Sequence, residues 1–189
     1  MGVGFGQGLT GETAALDFGT GSGCLAIALA VNCPAARITA VDVCDDALAV
    51  AQQNAETHKV SAQIEFHLSD GFAAVPKTNR FALIVANPPY IPGVDIAGLE
   101  PEVRDFDPRK ALDGGADGLD FYRHLSREAG DYLAAGGRIM LEFGDGQAEA
   151  LKKLFAEQMW IVEAVKADYS GRQRILTARR QESAPRDSK

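Results

Sequence analysis

The sequence lacks any apolar run that approaches the length of a membrane span, and it contains little cysteine. Its three cysteines, Cys24, Cys33 and Cys44, are odd in number and have no metal-ligand spacing, which argues against a disulfide framework and a zinc site. We therefore expect reduced thiols in a cytoplasmic protein, with no membrane partner and no bound metal. The first ten residues contain neither a basic region nor an apolar core, so we expect no secretory signal peptide.

Basic residues are also in short supply. The chain has 19 Lys and Arg against 26 Asp and Glu, a formal net charge of −7. A protein whose main partner is a nucleic-acid backbone normally needs a basic face, so we expect no direct nucleic-acid partner. A local basic patch near the C-terminus stays open as an alternative, formed by Arg172, Arg174, Arg179 and Arg180. The length of 189 residues and an apolar content of 46% predict one globular domain with a full core.

The apolar pattern alternates between strands and helices along the chain. Strands are predicted at 14–18, 37–42, 63–68, 81–86, 138–143, 160–167 and 173–178. Helices are predicted at 24–31, at 45–58 with Asp45 as N-cap, at 119–134 with Gly136-Gly137 ending it, and at 147–158. This alternation predicts an α/β fold, a doubly wound and mostly parallel seven-stranded sheet whose last strand is antiparallel. We expect a short stub at 1–13, one domain at 14–180 and a disordered tail at 181–189.

A glycine-rich turn joins the first predicted strand to the first helix. It consists of Gly19, Thr20, Gly21, Ser22 and Gly23. Glycines here allow a tight turn and the close approach of a nucleoside to the backbone. The spacing is G-x-G-x-G instead of the dinucleotide-binding G-x-G-x-x-G, and no lysine follows, which excludes a P-loop. Asp42 ends the second strand, where a carboxylate can bind ribose hydroxyls, and Asp70 follows the third strand, where it can meet an adenine amino group. The set favours S-adenosylmethionine over NAD as cofactor.

The tetrapeptide Asn87-Pro88-Pro89-Tyr90 follows the fourth predicted strand. The carboxyl end of a strand is where an open α/β sheet keeps its active site. The prolines fix the backbone and have no N–H, so the carbonyls around them are free to accept hydrogen bonds from an NH2 group. Asn87 adds a side-chain acceptor, and the Tyr90 ring can pack on a flat group. The stretch 88–117 that begins here is long and rich in Pro, Gly and Asp, which is typical of a functional loop. We assign the three histidines, His58, His67 and His124, to packing or surface positions away from this site.

With these motifs, the chain resembles the protein-glutamine N5-methyltransferases that act on peptide chain release factors. The resemblance runs from about Leu16 to Arg180. It rests on the glycine turn, Asp42 and Asn87–Tyr90, and on further segments at 103–108, 111–112, 117–122, 141–144 and 168–174. It implies a class I S-adenosylmethionine-dependent methyltransferase domain, with release factors as protein partners and the glutamine of a Gly-Gly-Gln motif as acceptor. The acceptor would enter at Asn87–Tyr90, and the cofactor would lie on Gly19–Gly23, Asp42, Asp70, Gly71, Phe72 and Asn87.

Two departures from the family pattern are expected to matter. Family members often carry a larger side chain where this chain has Gly71, and we expect Phe72 to supply the adenine contact instead. They also have a helical N-terminal domain, whereas only 13 residues precede Ala14 here. Two alternative functions stay open. One is methylation of a ribosomal-protein glutamine or of an adenine amino group in nucleic acid, and the other is a truncated domain that binds the cofactor with little turnover.

Overall fold

The computed structural model describes residues 13–105 and 108–181. The predicted stub lies outside this range except for Thr13, and the predicted tail lies outside it except for Gln181. Two residues of the predicted 103–108 segment, Phe106 and Asp107, also lie outside it.

In the part of the chain that the structure describes, seven strands form one sheet, as the sequence predicts. They are β1 (Thr13–Phe18), β2 (Ala36–Asp42), β3 (Ile64–Leu68), β4 (Phe81–Ala86), β5 (Leu133–Glu142), β6 (Trp160–Ala167) and β7 (Gln173–Arg180). Their spatial order is β3-β2-β1-β4-β5-β7-β6. Strands β1 to β5 are parallel, and β7 is antiparallel to both β5 and β6. This confirms the doubly wound, mostly parallel sheet with an antiparallel last strand.

Six α-helices connect these strands within the described residues. They are α1 (Cys24–Asn32), α2 (Asp45–Thr57), α3 (Pro101–Arg104), α4 (Arg109–Leu112), α5 (Asp120–Glu128) and α6 (Ala148–Glu157). The prediction of Asp45 as an N-cap is wrong. Cys44 holds that position, and Asp45 is the first helical residue, where its carboxylate faces the positive end of the helix dipole. The long loop after β4 contains the two short helices α3 and α4, which its Pro and Gly content did not predict.

The prediction that one helix covers 119–134 is also wrong at its end. Helix α5 stops at Glu128, a short 3-10 turn spans Ala129–Tyr132, and β5 already begins at Leu133. Gly136 and Gly137 therefore lie inside a strand and do not end a helix. The pairing of β4 with β5 shifts its register across this point, and Gly136 has a φ of 72°. The two glycines allow the irregularity because glycine adopts a positive φ at little cost.

Two hydrophobic layers cover the two faces of the sheet. Alternate residues of β1 point to opposite faces, with Leu16 in the larger layer and Ala15 in the smaller. The larger layer contains α5 and α6 and includes the fully buried side chains of Tyr122 and Phe155. The smaller layer contains α1 and α2 and is built mainly from alanine, valine and isoleucine. Both faces are thus buried, as a parallel sheet requires.

The strand order reverses between β1 and β4, and this reversal places the predicted site residues side by side. Asp17 pairs with Val85 of β4 and with Ala40 of β2. Continued by two residues, the same registers bring Gly19 next to Asn87 on one side and next to Asp42 on the other. A switch point of this kind leaves a crevice at the carboxyl ends of the strands, which is where ligands bind in open α/β sheets.

Candidate functional site

The glycine turn after β1 is held against the neighbouring strand by its own backbone. The N–H groups of Gly19 and Thr20 both donate to the Val41 carbonyl at 2.9 Å. Gly19, Gly21 and Gly23 have φ values of 73°, 55° and 85°, which L-residues with side chains rarely adopt. A Cβ on Gly21 would meet no atom within 4 Å, so the backbone is open to a ligand there. The turn is therefore tight, fixed and accessible.

Asp42 braces this turn from the end of β2. One carboxylate oxygen accepts from the Gly21 N–H at 2.8 Å, and the other accepts from the Cys44 N–H at 2.9 Å. The side chain is half-buried. An ionised carboxylate has about four lone-pair sites, so both oxygens can still accept from a pair of hydroxyl groups. The exposed side chains of Val43 and Leu68 lie on the same edge and offer apolar surface beside it.

Asp17 is a buried acid beneath the glycine turn that the sequence analysis did not assign to the site. Its Oδ2 accepts from the Thr20 hydroxyl at 2.7 Å and from the Ala26 N–H at 2.9 Å, which ties the turn to the start of α1. Its Oδ1 is buried and has no partner among the described residues. Burial raises the pKa of Asp17 from 3.8 to about 6, and the nearby charge of Asp42 adds to the effect. The sequence did indicate a role for Asp17. Burying an acid in an otherwise apolar strand raises the free energy of the folded state unless the carboxylate has hydrogen-bond partners, and a glycine turn directly follows it.

The residues after β3 only partly match their predicted roles. Asp70 is exposed at the carboxyl edge of the sheet, as a contact to adenine would need. Phe72 is only 3% exposed and its ring stacks on Tyr132 at a centroid distance of 4.3 Å. Its ring belongs to the core, so the expectation that Phe72 replaces a side chain at position 71 does not fit the structure. His124, which we placed away from the site, instead lies against Gly71, where a Cβ would meet its Nε2 at 2.6 Å.

The tetrapeptide after β4 presents the groups that its sequence predicts. Asn87 is exposed, Pro88 is buried, and Pro89 and Tyr90 are half-buried. Within residues 13–105 and 108–181, the Asn87 side chain has no hydrogen-bond partner, so both its oxygen and its NH2 group are available. Because Pro88 is buried, its ring anchors the chain while Asn87 projects from the edge.

Gln147 fixes the backbone of the tetrapeptide from the start of α6. Its Nε2 donates to the Tyr90 carbonyl at 2.9 Å, and its Oε1 accepts from the Gly144 N–H at 2.9 Å. Gly118 lies so close to the Tyr90 carbonyl oxygen that a Cβ there would clash with it. A Cβ on Gly114 would lie 2.9 Å from the Pro89 carbonyl oxygen, which is also too close. Sequence reasoning missed Gln147 because it lies 57 residues from Tyr90, and nothing local marks an amide at a helix start as a long-range contact.

The phenol of Tyr90 lies in a polar setting formed by the end of β5 and the β6–β7 hairpin. Burial raises the pKa of Tyr90, Glu142 adds to this, and Arg174 opposes it. Burial likewise raises the pKa of Glu142, with Arg174 acting in the opposite direction. Tyr122 donates its hydroxyl to the Glu142 carbonyl at 2.7 Å and holds the end of β5 in place. The neutral form of Tyr90 is therefore favoured, which argues against a role as a base.

The two cavities found beside the described residues lie away from the carboxyl edge. Two cavities, of about 610 and 380 Å³, lie at the opposite edge of the sheet. The first is beside Leu133 and Arg180, and the second is beside Ala14 and Arg37. Among the described residues, no group of three or more His, Cys, Asp or Glu side chains could hold a metal ion. None of the helices in this part of the chain combines the length and apolarity needed to cross a membrane.

Comparisons with known proteins identify the fold. A family described as "Methyltransferase small domain" matches residues 7–98. Among solved structures, a ribosomal protein L11 methylase from Lactobacillus delbrueckii subsp. bulgaricus superposes with a TM-score of 0.69 at 20% identity, covering 93% of this chain and 74% of that one. A methyltransferase from Pyrococcus furiosus gives 0.67 at 20% identity, covering 92% and 78%. The chain has the class I methyltransferase fold.

Curated relatives narrow the class to one family. Release factor glutamine methyltransferases from Geobacter sulfurreducens and Rhodospirillum rubrum are each 45% identical, over 167 and 170 residues. These alignments cover 88% and 90% of this chain, and 57% and 52% of the relatives. A third, from Cereibacter sphaeroides, is 45% identical over 164 residues. The chain is similar to the release factor glutamine methyltransferases over most of its length, and it spans a little over half the length of these relatives.

Proposed function

We propose that this chain is the catalytic part of an enzyme that transfers a methyl group from S-adenosylmethionine to a glutamine side-chain amide. The acceptor is the N5 nitrogen of the glutamine in the Gly-Gly-Gln motif of peptide chain release factors. The observation that carries the proposal is the adjacency of Gly19–Gly23 and Asn87–Tyr90 at the strand-order reversal. At this point the glycine turn, which we expect to bind a nucleoside, and the tetrapeptide, which we expect to bind an amide, border the same crevice.

The residues at the carboxyl edge suit S-adenosylmethionine. The open backbone at Gly21 permits close approach of the methionine part, and the two oxygens of Asp42 can bind both ribose hydroxyls. Exposed Val43 and Leu68 provide apolar surface for a purine ring beside Asp70. The unpartnered Oδ1 of Asp17 adds negative charge near the turn, which favours a ligand bearing ammonium and sulfonium groups. Bound there, the cofactor supplies an electrophilic methyl group on a positively charged sulfur.

The acceptor amide needs positioning more than it needs a base. An amide nitrogen is a poor nucleophile because its lone pair is delocalised into the carbonyl. Hydrogen bonds from its NH2 group to the Asn87 side-chain oxygen and the Pro88 carbonyl would turn the nitrogen toward the methyl group. The same two acceptors favour positive charge that grows on the nitrogen in the transition state. Positioning by rigid neighbours supplies most of the effect, and Gln147 provides that rigidity at Tyr90.

The identity of the substrate rests on the relatives. These relatives are release factor glutamine methyltransferases, and they are up to 45% identical over most of this chain. A nucleic-acid adenine could present an NH2 group to the same tetrapeptide, but the net charge of −7 disfavours a polyanion. A ribosomal-protein glutamine is the closer competitor, because it offers the same chemical group.

Two measurements on the purified chain separate these functions. Calorimetry with S-adenosylmethionine tests cofactor binding, and a methyl-transfer assay tests release factor, ribosomal protein and oligonucleotide as acceptors. We expect cofactor binding and transfer to release factor alone. Binding without transfer to any acceptor would identify a cofactor-binding domain with little turnover, and transfer only to another acceptor would overturn the assigned substrate.

Recognition of a whole release factor is expected to need contacts beyond this chain. A glutamine in a flexible loop offers little surface, and remote binding energy is what places the reacting group. We expect slow transfer to the intact factor and poor discrimination between it and a short Gly-Gly-Gln peptide. Fusing the helical N-terminal domain of a full-length relative should accelerate transfer to the intact factor more than to the peptide. Equal acceleration on both substrates would show that the recognition surface already lies within this chain.

A further inference from the structure

The hairpin between β6 and β7 carries one exposed aromatic side chain to the edge of the sheet where the candidate site lies. Strand β7 is antiparallel to β5, and the N–H of Phe143, directly after β5, donates to the Arg174 carbonyl at 2.9 Å. The tip of the hairpin, residues 168–172, therefore lies at the carboxyl edge. Tyr169 in this tip is 95% exposed, more than any other large hydrophobic side chain among the described residues.

The carboxylate of Asp168 fixes the hairpin tip. Its Oδ1 accepts from the Ser170 N–H at 2.8 Å, from the Ser170 hydroxyl at 2.7 Å and from the Arg172 N–H at 3.0 Å. The backbone N–H of Asp168 donates to the Arg172 carbonyl at 2.8 Å across the turn. The hydrogen bond from the Ser170 hydroxyl is the main cause that lowers the pKa of Asp168, so the carboxylate is ionised at neutral pH. Tyr169 therefore projects from an ordered turn, and a partner that packs on it loses little free energy to loop ordering.

A series of contacts connects the hairpin tip to the tetrapeptide. The Nε atom of Arg174 lies 3.7 Å from Oδ2 of Asp168, and its Nη1 donates to the Phe143 carbonyl at 3.3 Å. The charge of Arg174 opposes the rise in the pKa of Tyr90, so the guanidinium is near that phenol. The ring of Tyr90 lies against Gly144, where a Cβ would be 2.9 Å from its Cδ2 atom. The tip and the expected acceptor site are thus neighbours at the same edge.

The order of the strands sets the distance that a bound peptide must cover. From β4, which precedes the tetrapeptide, β7 is the second strand along the sheet and β6 is the third. At about 4.8 Å for each strand, the tip lies roughly 10–14 Å from the end of β4. An extended chain rises about 3.3 Å for each residue, so about three to four residues span this distance. A peptide whose glutamine lies at Asn87–Tyr90 therefore reaches Tyr169 with residues close to that glutamine.

The arginines near the C-terminus do not gather into one basic patch beside the tip. Three of the four bind within the chain: Arg174 to Asp168 and the Phe143 carbonyl, Arg179 to Glu163, and Arg180 to the Gln158 carbonyl and over the ring of Trp160. Arg179 and Arg180 also end β7, at the edge of the sheet opposite the tip. A nucleic-acid backbone needs several free cations together, so a polypeptide is the partner that the tip fits better.

We propose that the β6–β7 tip is a docking surface for the peptide that flanks the acceptor glutamine, with the ring of Tyr169 packing on a residue about three to four positions away from that glutamine. This inference rests on the proposed function, because it assumes that a glutamine within a polypeptide occupies Asn87–Tyr90. A single exposed apolar side chain is ordinary on a protein surface. Tyr169 differs because its turn is fixed and because the acceptor site is within reach. A tyrosine ring offers a large contact area to peptide groups and apolar side chains, which suits it to an interface.

The test compares two acceptors that differ only in length. Methyl transfer by the full chain is measured on a capped Gly-Gly-Gln tripeptide and on a peptide with about five flanking residues on each side of the glutamine. Tyr169→Ala should lower kcat/KM on the longer peptide by about three- to tenfold, the usual effect of one aromatic contact, and leave the tripeptide unchanged. Tyr169→Phe, which keeps the ring, should retain most of the rate. Val31→Ala removes an exposed apolar side chain at the far end of α1 and should match the wild type on both peptides.

A second measurement locates the contact without relying on turnover. The longer peptide, with a benzophenone side chain three or four residues from the glutamine on either side, is irradiated with the chain and S-adenosylhomocysteine. We expect attachment within residues 168–172. Attachment only elsewhere, or an oligonucleotide that abolishes it, would overturn the inference, as would a Tyr169→Ala variant that loses equally on both peptides or on neither. A wild-type chain that methylates neither peptide would instead refute the proposed function itself.

Discussion

The buried carboxylate of Asp17 is expected to make the free energy of unfolding depend on pH. Replacing Asp17 with asparagine should remove this dependence. Asp17 is 1% exposed and has an unpartnered oxygen, and its pKa in the folded chain is about 6 against an ordinary value of 3.8. Burial is the main cause. Because the folded-state pKa is the higher one, the native state holds this proton more tightly than the unfolded chain does. The stability that Asp17 confers is complete below pH 3.8 and is lost as the pH rises to about 6.

The size of the effect follows from the two pKa values. At about 1.36 kcal/mol for each pH unit, the interval from 3.8 to about 6 corresponds to roughly 3 kcal/mol in the free energy of unfolding. Asp17→Asn keeps an oxygen that can accept from Thr20 and Ala26, but it has no proton to lose. Between pH 4 and pH 7, we therefore expect the wild type to lose roughly 2–3 kcal/mol of stability relative to this variant.

Urea unfolding of the wild type and of Asp17→Asn across this pH range measures the difference in their free energies of unfolding. The contributions of the other titrating groups are the same in both proteins and cancel in that difference. Asp117→Asn is a control whose titration lies below this range, because the hydrogen bond from Arg123 holds the pKa of Asp117 below its ordinary value of 3.8. The stability of the wild type relative to that variant should therefore change little between pH 4 and pH 7. If the difference in the free energy of unfolding between the wild type and Asp17→Asn stays constant from pH 4 to pH 7, the reasoning about the buried carboxylate is refuted.

Three further substitutions test the proposed roles at the carboxyl edge. Asp42→Ala should weaken S-adenosylmethionine binding by about 1.5–3 kcal/mol, and unchanged affinity with an unchanged circular dichroism spectrum would contradict its ribose role. Asn87→Ala should lower turnover far more than cofactor affinity, since its contact matters most in the transition state; wild-type turnover would rule this out. Gln147→Glu loses the donor to the Tyr90 carbonyl and should lower turnover on release factor with unchanged cofactor affinity, and a rate equal to wild type would show that Tyr90 is fixed without it.

The sheet could be predicted because the sequence of each strand shows a pattern typical of a buried strand. Runs such as Phe81–Ala86 are apolar throughout, as strands buried on both faces must be, and the alternation with helices implies the parallel order. The end of α5 and the start of β5 could not be predicted in the same way. Ala134 and Gly136 suit a helix end and an irregular strand equally well, and the pairing of β5 with β4 decides between them. Pairing across the sheet is not visible in a local pattern.

The candidate site was predictable where function lies in the backbone that follows a strand. Asp42 ends a strand, and the glycine turn and Asn87 each come directly after one, so the topology alone brings them to one edge. Side chains that reach the site from elsewhere were missed. His124 comes from α5, and its position depends on the absence of a side chain at Gly71. Phe72 was assigned by sequence adjacency, but its aromatic ring lowers the free energy more by packing on Tyr132 in the core.

The most direct test of the account is to locate the transferred methyl group. The chain is incubated with intact release factor and isotopically labelled S-adenosylmethionine, and tandem mass spectrometry of the digested factor identifies the labelled atom. The account predicts one labelled methyl group on the side-chain amide of the Gly-Gly-Gln glutamine, and much slower labelling of that amide when Asn87→Ala replaces the wild type. Label on any other residue, or equal labelling by the Asn87→Ala variant, would contradict it.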